Sequence, residues 1–265
     1  MGSDRWQRLR ARLDRRTILI ATLFLIPAAA ALTLLGVTTE DVTQHNGLST
    51  SDPAHLRFFV DHRTDALVQV AKDVTNLGAA PILAVLALLS AAVLWWRGQR
   101  VAVSIAPGAA LGVAACVAAV GKQAVGRVRP PVGIRLLAET EPSFPSGHAT
   151  DSAAFFVALG LVLAMFVFRR PLARAAALVA GALTTLVIGL TRLVLGVHWP
   201  TDVLAGWSIG VLVALVVTVT VAGVSRWTHE SPSGSSLVRV RLLAVLQSSR
   251  PVGLRPSQER AAPIS

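Results

Sequence analysis

Six apolar segments, each 17–21 residues long, constrain the fold of this 265-residue chain more than any other feature. They are Thr17–Val37, Ala79–Trp96, Val101–Val120, Ser152–Phe168, Leu172–Leu190 and Val203–Ala222. Together they contain one charged residue, Arg174 near the beginning of the fifth segment. A helix of about 20 residues crosses the hydrocarbon core of a bilayer and satisfies its own backbone hydrogen bonds there. The sequence therefore predicts an all-α integral membrane protein with six transmembrane helices in a bundle.

The basic residues are distributed unevenly between the two sides of the predicted bundle. The termini and the loops on their side carry 17 of the 25 Lys and Arg residues, and the other side carries 8. Basic flanks stay in the cytoplasm, so both termini are predicted to be cytoplasmic in the cell membrane. The loops Thr38–Gly78, Gly121–Asp151 and Thr191–Asp202 are then predicted to face outward. The net charge of +11 is explained by this topology and by anionic lipid, with no nucleic-acid partner.

The predicted domain organisation follows from these segments. Residues 1–16 are a basic cytoplasmic N-terminus, residues 17–222 the six-helix domain, and residues 223–265 a basic cytoplasmic tail predicted to be disordered. The outer loop 38–78 contains a stretch with helical spacing of apolar residues, which predicts a helix lying at the membrane interface. The residues predicted to form its apolar face are Phe58, Phe59, Ala66, Leu67, Val70, Ala71 and Val74.

The first cluster of polar residues lies in the stretch KQAVGRVRP, residues 122–130. Lys122 and Arg129 are seven positions apart, about two helical turns, so their side chains are predicted to lie near one face. Both donate hydrogen bonds and accept none, which suits them to phosphate oxygens. A basic loop at the membrane edge would contain the same residues. However, the chain has only two Lys residues, and one of them lies here on the less basic side.

The second cluster is in SFPSGHATDS, residues 143–152, just before the fourth apolar segment. Ser146, Gly147 and His148 are predicted to form the first turn of its helix. The free amides and the positive end of the helix dipole make such a turn an anion site. The alternative interpretation is a serine N-cap beside a surface histidine.

The third cluster is TRLVLGVHWPTD, residues 191–202, before the sixth segment. His198 and Asp202 are four positions apart, which places them on one helical face, and Arg192 precedes them. A carboxylate bonded to one imidazole nitrogen holds the tautomer that presents the other nitrogen as a base or nucleophile. A capped helix with an interfacial histidine is again the alternative.

The three stretches together resemble the signature of the type 2 phosphatidic acid phosphatase superfamily. That signature is a Lys, six residues and Arg-Pro; then Pro-Ser-Gly-His; then Ser-Arg, five residues, His, three residues and Asp. The spacing agrees at every signature position, and the resemblance covers about half of the chain. One position departs from the signature, because Thr191 stands where serine is usual. Threonine keeps the hydroxyl, so activity is expected to survive.

The resemblance implies a metal-independent membrane phosphatase that needs no cofactor and works through a phosphohistidine intermediate. It implies that His198 attacks phosphorus, that Asp202 orients His198, and that His148 protonates the leaving oxygen and then activates water. The residues implied to hold the phosphoryl oxygens are Lys122, Arg129, Ser146, Gly147 and Arg192.

A site between helices at the outer membrane edge suits a substrate with an apolar tail and a phosphate at the surface. Lipid phosphates are therefore the expected substrates, including isoprenoid pyrophosphates such as undecaprenyl pyrophosphate, with membrane lipids as the surrounding partners. Two other functions are left open: a phosphotransferase or haloperoxidase-like use of the same anion site, and a non-enzymatic transporter or scaffold. A transporter is expected to carry charged residues within its spans, and the six segments contain only Arg174.

Overall fold

The structure is a computed structural model that describes residues 15–230. All regular secondary structure in this part of the chain is helical and there is no strand, so the all-α prediction is confirmed. Its eight α helices are α1 Arg15–Gln44, α2 Gly47–Asp61, α3 Asp65–Thr75, α4 Ala80–Trp96, α5 Val101–Val125, α6 Gly147–Val162, α7 Pro171–Val194 and α8 Pro200–Glu230. A short 3-10 turn, Asn76–Gly78, follows α3, and a π-helical turn, Leu163–Val167, extends α6.

Five helices of the described part are long and apolar enough to cross a membrane: Phe24–Gln44, Val101–Val125, Gly147–Val167, Pro171–Val194 and Pro200–Val224. The remaining predicted segment, the second along the chain, corresponds to α4, which meets the helical stretch Asp65–Gly78 at a bend of 54°. Each predicted apolar segment thus corresponds to its own helix, to within one residue at Ala79 and at Phe168, and the all-helical membrane fold is confirmed with five spans, or six if the bent pair is counted as one span. Physically, the hydrocarbon core selects the apolar centre of each span, whereas the helices continue beyond it.

Small residues bring the central helices close together. Five alanines of the bundle core are completely buried: Ala110, Ala114, Ala154, Ala158 and Ala214. Between α6 and α7, a Cβ atom on Gly181 would lie 2.5 Å from the carbonyl oxygen of Phe156, and one on Gly160 would lie 2.8 Å from that of Ala177. The two backbones are therefore in direct contact, as in membrane bundles whose interfaces are built from small residues.

The outer loop contains two helices where one was predicted. The chain breaks at residues 62–64, where the Thr64 side chain caps α3 by accepting a hydrogen bond from the Leu67 amide at 3.2 Å. Arg63 donates from Nε to the carbonyl oxygen of Val194 at 2.6 Å, which ties this break to the end of α7.

The residues of the predicted apolar face are divided between the two helices, and only some of them pack against the rest of the protein. Ala71 is buried and, with Phe59, packs against the residues around Val197. The side chains of Phe58, Leu67 and Val70 are exposed. The position of these exposed residues at a membrane interface stays a prediction.

The last helix is longer than its apolar segment. α8 continues to Glu230, eight residues beyond the predicted end of the span at Ala222 and into the region assigned to the tail. The remainder of the predicted tail, and residues 1–14 of the predicted cytoplasmic N-terminus, lie outside the described residues.

Candidate active site

The predicted site residues meet where four helix ends and two loops come together. The end of α5, the loop 126–146, the start of α6, the end of α7, the loop 195–199 and the start of α8 supply them. Six of the eight predicted residues are buried: Lys122, Arg129, Ser146, Arg192, His198 and Asp202. Gly147 and His148 are partly exposed. Buried charges require partners, so the contacts of each one are informative.

His198 lies in the loop before α8, and Asp202 lies in the first turn of that helix. Nδ1 of His198 is 3.3 Å from Oδ2 of Asp202. The same carboxylate oxygen accepts hydrogen bonds from the Trp199 amide at 2.8 Å and from the Ser143 hydroxyl. A carboxylate at Nδ1 favours the tautomer with its proton there, which leaves a lone pair on Nε2. The predicted pair of imidazole and orienting carboxylate is thus brought together.

The surroundings of His198 favour its neutral form. Burial lowers the pKa of His198 to about 4, although Asp202 opposes the shift. Nε2 faces Nη1 of Arg129 at 3.2 Å. At neutral pH the imidazole is therefore uncharged, and Nε2 is directed toward Arg129, a cation that would also attract an anion.

The three predicted cations are held in place by backbone and hydroxyl oxygens. Arg129 donates from Nη1 to the carbonyl of Val197 at 2.8 Å. Lys122 donates to the carbonyl of Pro142 at 2.9 Å. Arg192, which is 1% exposed, donates to the Thr75 hydroxyl at 2.9 Å. Burial lowers the pKa of Arg129, but the guanidinium stays charged because its ordinary value is far above neutrality.

Two buried polar atoms at the site have no hydrogen-bond partner among the described residues. They are Oγ of Ser146, the N-cap of α6, and Nε of Arg192. The first-turn amides of α6 have no partner within the helix either. Gly147 follows Ser146, and a Cβ there would lie 3.9 Å from Cε of Lys122. Unpartnered donors at a helix N-terminus beside cations form an anion-binding site.

His148 belongs to the same site. It is the second residue of α6, and it interacts electrostatically with Arg192, His198 and Lys122. Gly78 packs against its ring, because a Cβ there would lie 3.1 Å from Cδ2 of His148. All eight residues singled out in the sequence therefore occupy one region of the molecule.

Sequence reasoning missed a network behind the histidine. Oδ1 of Asp202 accepts a hydrogen bond from Nη1 of Arg127 at 2.5 Å, and Nη2 of Arg127 is 2.6 Å from Oδ2 of Asp52. Asp52 also accepts from the Thr201 amide at 3.0 Å. Arg127 lies inside the quoted stretch KQAVGRVRP, so its position in the sequence could have identified it as a residue of the site. Asp52 lies 75 residues away on α2 and carries no such signal.

Two acidic residues of the loop were missed as well. The Glu139 carboxylate binds Nη2 of Arg192 through one oxygen and lies 3.4 Å from Nη2 of Arg129 through the other. Glu141 is 3.2 Å from Nζ of Lys122. Burial acts to raise the pKa of Glu139, but Arg192 and Arg129 outweigh it and the net pKa is lowered. Glu139 is therefore ionised at neutral pH. The sequence AETEP around it was the available signal.

Thr191, the departure from the signature, is buried in α7. Its hydroxyl donates to the carbonyl of Ile188, one turn earlier in the same helix, at 2.6 Å. A serine hydroxyl at this position can make the same bond, so the replacement preserves the local hydrogen bonding.

Comparisons with known proteins agree with this geometry. The family model described as the PAP2 superfamily matches residues 104–226, which include α6, α7 and most of α5 and α8. Phosphatidylglycerophosphatase B of Bacillus subtilis is 30% identical over 178 residues, which is 65% of this chain and 84% of that protein. Decaprenylphosphoryl-5-phosphoribose phosphatase of Mycobacterium tuberculosis is 31% identical over 145 residues, 54% of this chain and 73% of that protein.

A solved structure shows the same fold. The crystal structure of the first transmembrane PAP2 type phosphatidylglycerolphosphate phosphatase from Bacillus subtilis superposes with a TM-score of 0.67 at 25% identity. The match covers 78% of this chain and 98% of that one. With the signature stretches gathered around one buried site and relatives of this kind along most of its length, the chain belongs to the PAP2 superfamily, among its membrane phosphatases.

Proposed function

We propose that this protein is a metal-independent phosphatase that hydrolyses the phosphomonoester or pyrophosphate of a membrane lipid through a phosphohistidine on His198. One observation carries the proposal. Nδ1 of His198 lies 3.3 Å from Asp202 and Nε2 lies 3.2 Å from Nη1 of Arg129, inside a group of buried cations that includes Arg192. This arrangement supports the proposal, because the groups that would act as nucleophile, orienting carboxylate and phosphoryl donors lie in one place.

In the first step, the lone pair of His198 Nε2 attacks phosphorus and the bond from phosphorus to the lipid oxygen breaks. His148 gives its proton to that leaving oxygen, so the lipid departs as an alcohol or, from a pyrophosphate, as a monophosphate. In the second step, His148 takes a proton from water, and the oxygen of that water attacks phosphorus while the bond from phosphorus to Nε2 of His198 breaks. Inorganic phosphate is released, and both histidines return to their starting states.

The chain's own cations supply the electrostatic stabilisation of this reaction. Phosphoryl transfer depends mostly on positioning and on neutralising charge on the phosphoryl oxygens. Lys122, Arg129 and Arg192 provide three positive charges, and Ser146 Oγ and the Gly147 amide provide donors at the start of α6. Among residues 15–230, no three His, Cys, Asp or Glu side chains are grouped as metal ligands. Because the three cations and the donors at the start of α6 supply the charge neutralisation that a metal ion would otherwise provide, we expect activity in the presence of a chelator.

The substrate class follows from the location of the site. The site lies at the ends of apolar helices that are able to cross a membrane, so a lipid tail can stay in the bilayer while its phosphate reaches His198. The relatives named above act on lipids with glycerophosphate or polyprenyl groups, according to their names. Phosphatidylglycerol phosphate and isoprenoid phosphates are the first substrates to test. By the distribution of basic residues, the site faces outward.

The test is phosphate release by purified protein in detergent, with EDTA present throughout. Phosphatidylglycerol phosphate, phosphatidate and an isoprenoid pyrophosphate are assayed side by side, with His198→Gln as the inactive variant. We expect at least one substrate to be hydrolysed, and the variant to lose about 10³-fold or more of kcat, because it removes the nucleophile. Labelled substrate is expected to leave an alkali-stable, acid-labile phosphate on the wild-type protein and none on the variant.

Thermal unfolding and size-exclusion chromatography check that His198→Gln is folded. A folded variant that retains wild-type activity would disprove the assignment of His198 as nucleophile. Hydrolysis that stops when EDTA is added would contradict the metal-independent mechanism.

A further inference from the structure

Glu139 lies among the very cations that the proposed function assigns to phosphate. One of its carboxylate oxygens binds Arg192 and the other lies 3.4 Å from Arg129. The Arg192 and Arg129 side chains are 1% and 5% exposed, and that of Glu139 is 26% exposed. The contacts of Glu139 with the two arginines are therefore largely shielded from water. Charge interactions are stronger in such a shielded site than in bulk water. The exposed Glu141, two residues further on, pairs with Lys122 at 3.2 Å.

A carboxylate and a phosphoryl group use the same donors. Both present two oxygens to guanidinium groups, so Nη2 of Arg192 cannot serve Glu139 and an incoming phosphate fully at once. The charges lead to the same conclusion. Three cations face the two carboxylates of Glu139 and Glu141, and a phosphomonoester brings about two further negative charges at neutral pH. Binding without displacement would leave excess negative charge in a buried site.

We propose that Glu139 sets the affinity of the site for phosphate by competing with it for Arg192 and Arg129. The carboxylate pairs with the two guanidinium groups while the site is empty, moves away when phosphate binds, and returns as inorganic phosphate leaves. The inference rests on the proposed function, because the competing ligand is the phosphate of the substrate or product. The return of the carboxylate keeps the buried Arg192 paired, since an unpaired buried charge is strongly destabilising.

The consequence for kinetics is specific. Competition by Glu139 weakens the binding of the substrate, the transition state and inorganic phosphate to a similar extent. Removal of its charge is therefore expected to lower KM and the inhibition constant of inorganic phosphate by about tenfold each, with kcat within about twofold of wild type.

The experiment compares Glu139→Gln with Glu40→Gln in purified protein. Glu40 is exposed on α1, outside the site, so its variant makes the same chemical change without affecting the cations. KM, kcat and inhibition by inorganic phosphate and by orthovanadate are measured for each. Thermal unfolding is recorded with and without each anion. The empty Glu139→Gln protein is expected to unfold at a lower temperature than wild type, and phosphate is expected to raise that temperature more than it does for wild type.

Two further variants separate competition from a purely structural role. Glu139→Asp keeps the charge on a shorter side chain, so a smaller change in the same direction is expected. Glu141→Gln removes the exposed partner of Lys122, whose side chain is 71% exposed, and is expected to have a smaller effect than Glu139→Gln.

The outcomes distinguish this inference from the function on which it rests. If wild-type protein hydrolyses lipid phosphate but Glu139→Gln binds inorganic phosphate no more tightly, the inference is overturned and Glu139 is only a structural partner of Arg192. A Glu139→Gln protein that does not fold while Glu139→Asp matches wild type in every constant overturns it too. If wild type neither hydrolyses lipid phosphates nor binds orthovanadate, the proposed function itself fails, and the inference with it.

Discussion

His198 illustrates what local spacing can and cannot predict about a residue. The four-residue interval to Asp202 is enough to bring the imidazole and the carboxylate together at the start of a helix. The Arg127 and Asp52 side chains that complete the surroundings of Asp202 come from a loop and from a different helix. No pattern in a single sequence marks one buried aspartate among 14 acidic residues. The pairing of His198 with Asp202 was therefore predictable from the sequence, but the side chains that hold Asp202 in place were not.

Asp52 gives a prediction at this scale. Arg127 is shared between Asp52 and Asp202, so neutralising Asp52 leaves the positive charge of Arg127 balanced by Asp202 alone. Asp202 would then stabilise less well the positive charge that develops on His198 during attack. We expect Asp52→Asn to lower kcat about tenfold and to change KM by less than about threefold.

Steady-state kinetics test the role of Asp52, with thermal unfolding as the check of the fold. Asp52→Glu, which keeps the negative charge, is the matched variant and is expected to retain more activity than Asp52→Asn. If Asp52→Asn has wild-type kcat, or if both variants lose activity in parallel with their thermal stability, Asp52 is structural and does not position the site.

At the scale of helices, the sequence predicted where spans exist better than where they end. Hydropathy selects residues that are stable in hydrocarbon, so the predicted segments stop before polar residues. The helices continue through them: α5 extends past Lys122, and α6 begins at Gly147, before its apolar segment starts at Ser152 and within the first turn predicted from Ser146, Gly147 and His148. Most of the site residues lie in or next to these polar ends of the helices. The end of one span and the start of the next therefore carry the chemistry, and the boundaries of the apolar segments indicated where to look.

The contact between α6 and α7 supports a prediction about a glycine. A Cβ on Gly181 would lie 2.5 Å from the carbonyl oxygen of Phe156. This oxygen belongs to the helix backbone, so it cannot move aside by a side-chain rotation. Gly181→Ala is therefore expected to destabilise the protein by about 1–3 kcal/mol. Gly112 on α5 is the matched control, because a Cβ there has nothing within 4 Å, and Gly112→Ala is expected to cause no loss.

Thermal unfolding of both glycine variants in the same detergent tests this prediction. An unfolding temperature for Gly181→Ala equal to that of wild type would show that the two helices are not in backbone contact.

At the scale of the whole molecule, the part outside the family match also contributes to the site. The match begins at residue 104, whereas Thr75, Gly78 and Asp52 precede it and contact Arg192, His148 and Arg127. The segment 47–78 is therefore more than a connection between two spans. The sequence indicated that it contains apolar helical spacing, but its packing against the site depends on contacts between residues at least 70 positions apart, which local patterns do not encode.

The orientation of the molecule is the remaining prediction, and it rests on the positive-inside distribution of Lys and Arg. Thr140 is exposed in the loop 126–146 beside the site, and Gln99 lies between α4 and α5 on the opposite predicted side. The native Cys116 is also exposed, so both tests use a Cys116→Ser background. A membrane-impermeant maleimide is expected to label Thr140→Cys in intact cells, and to label Gln99→Cys only after permeabilisation. The reverse pattern would place the phosphate site in the cytoplasm, where it would act on lipids of the inner leaflet.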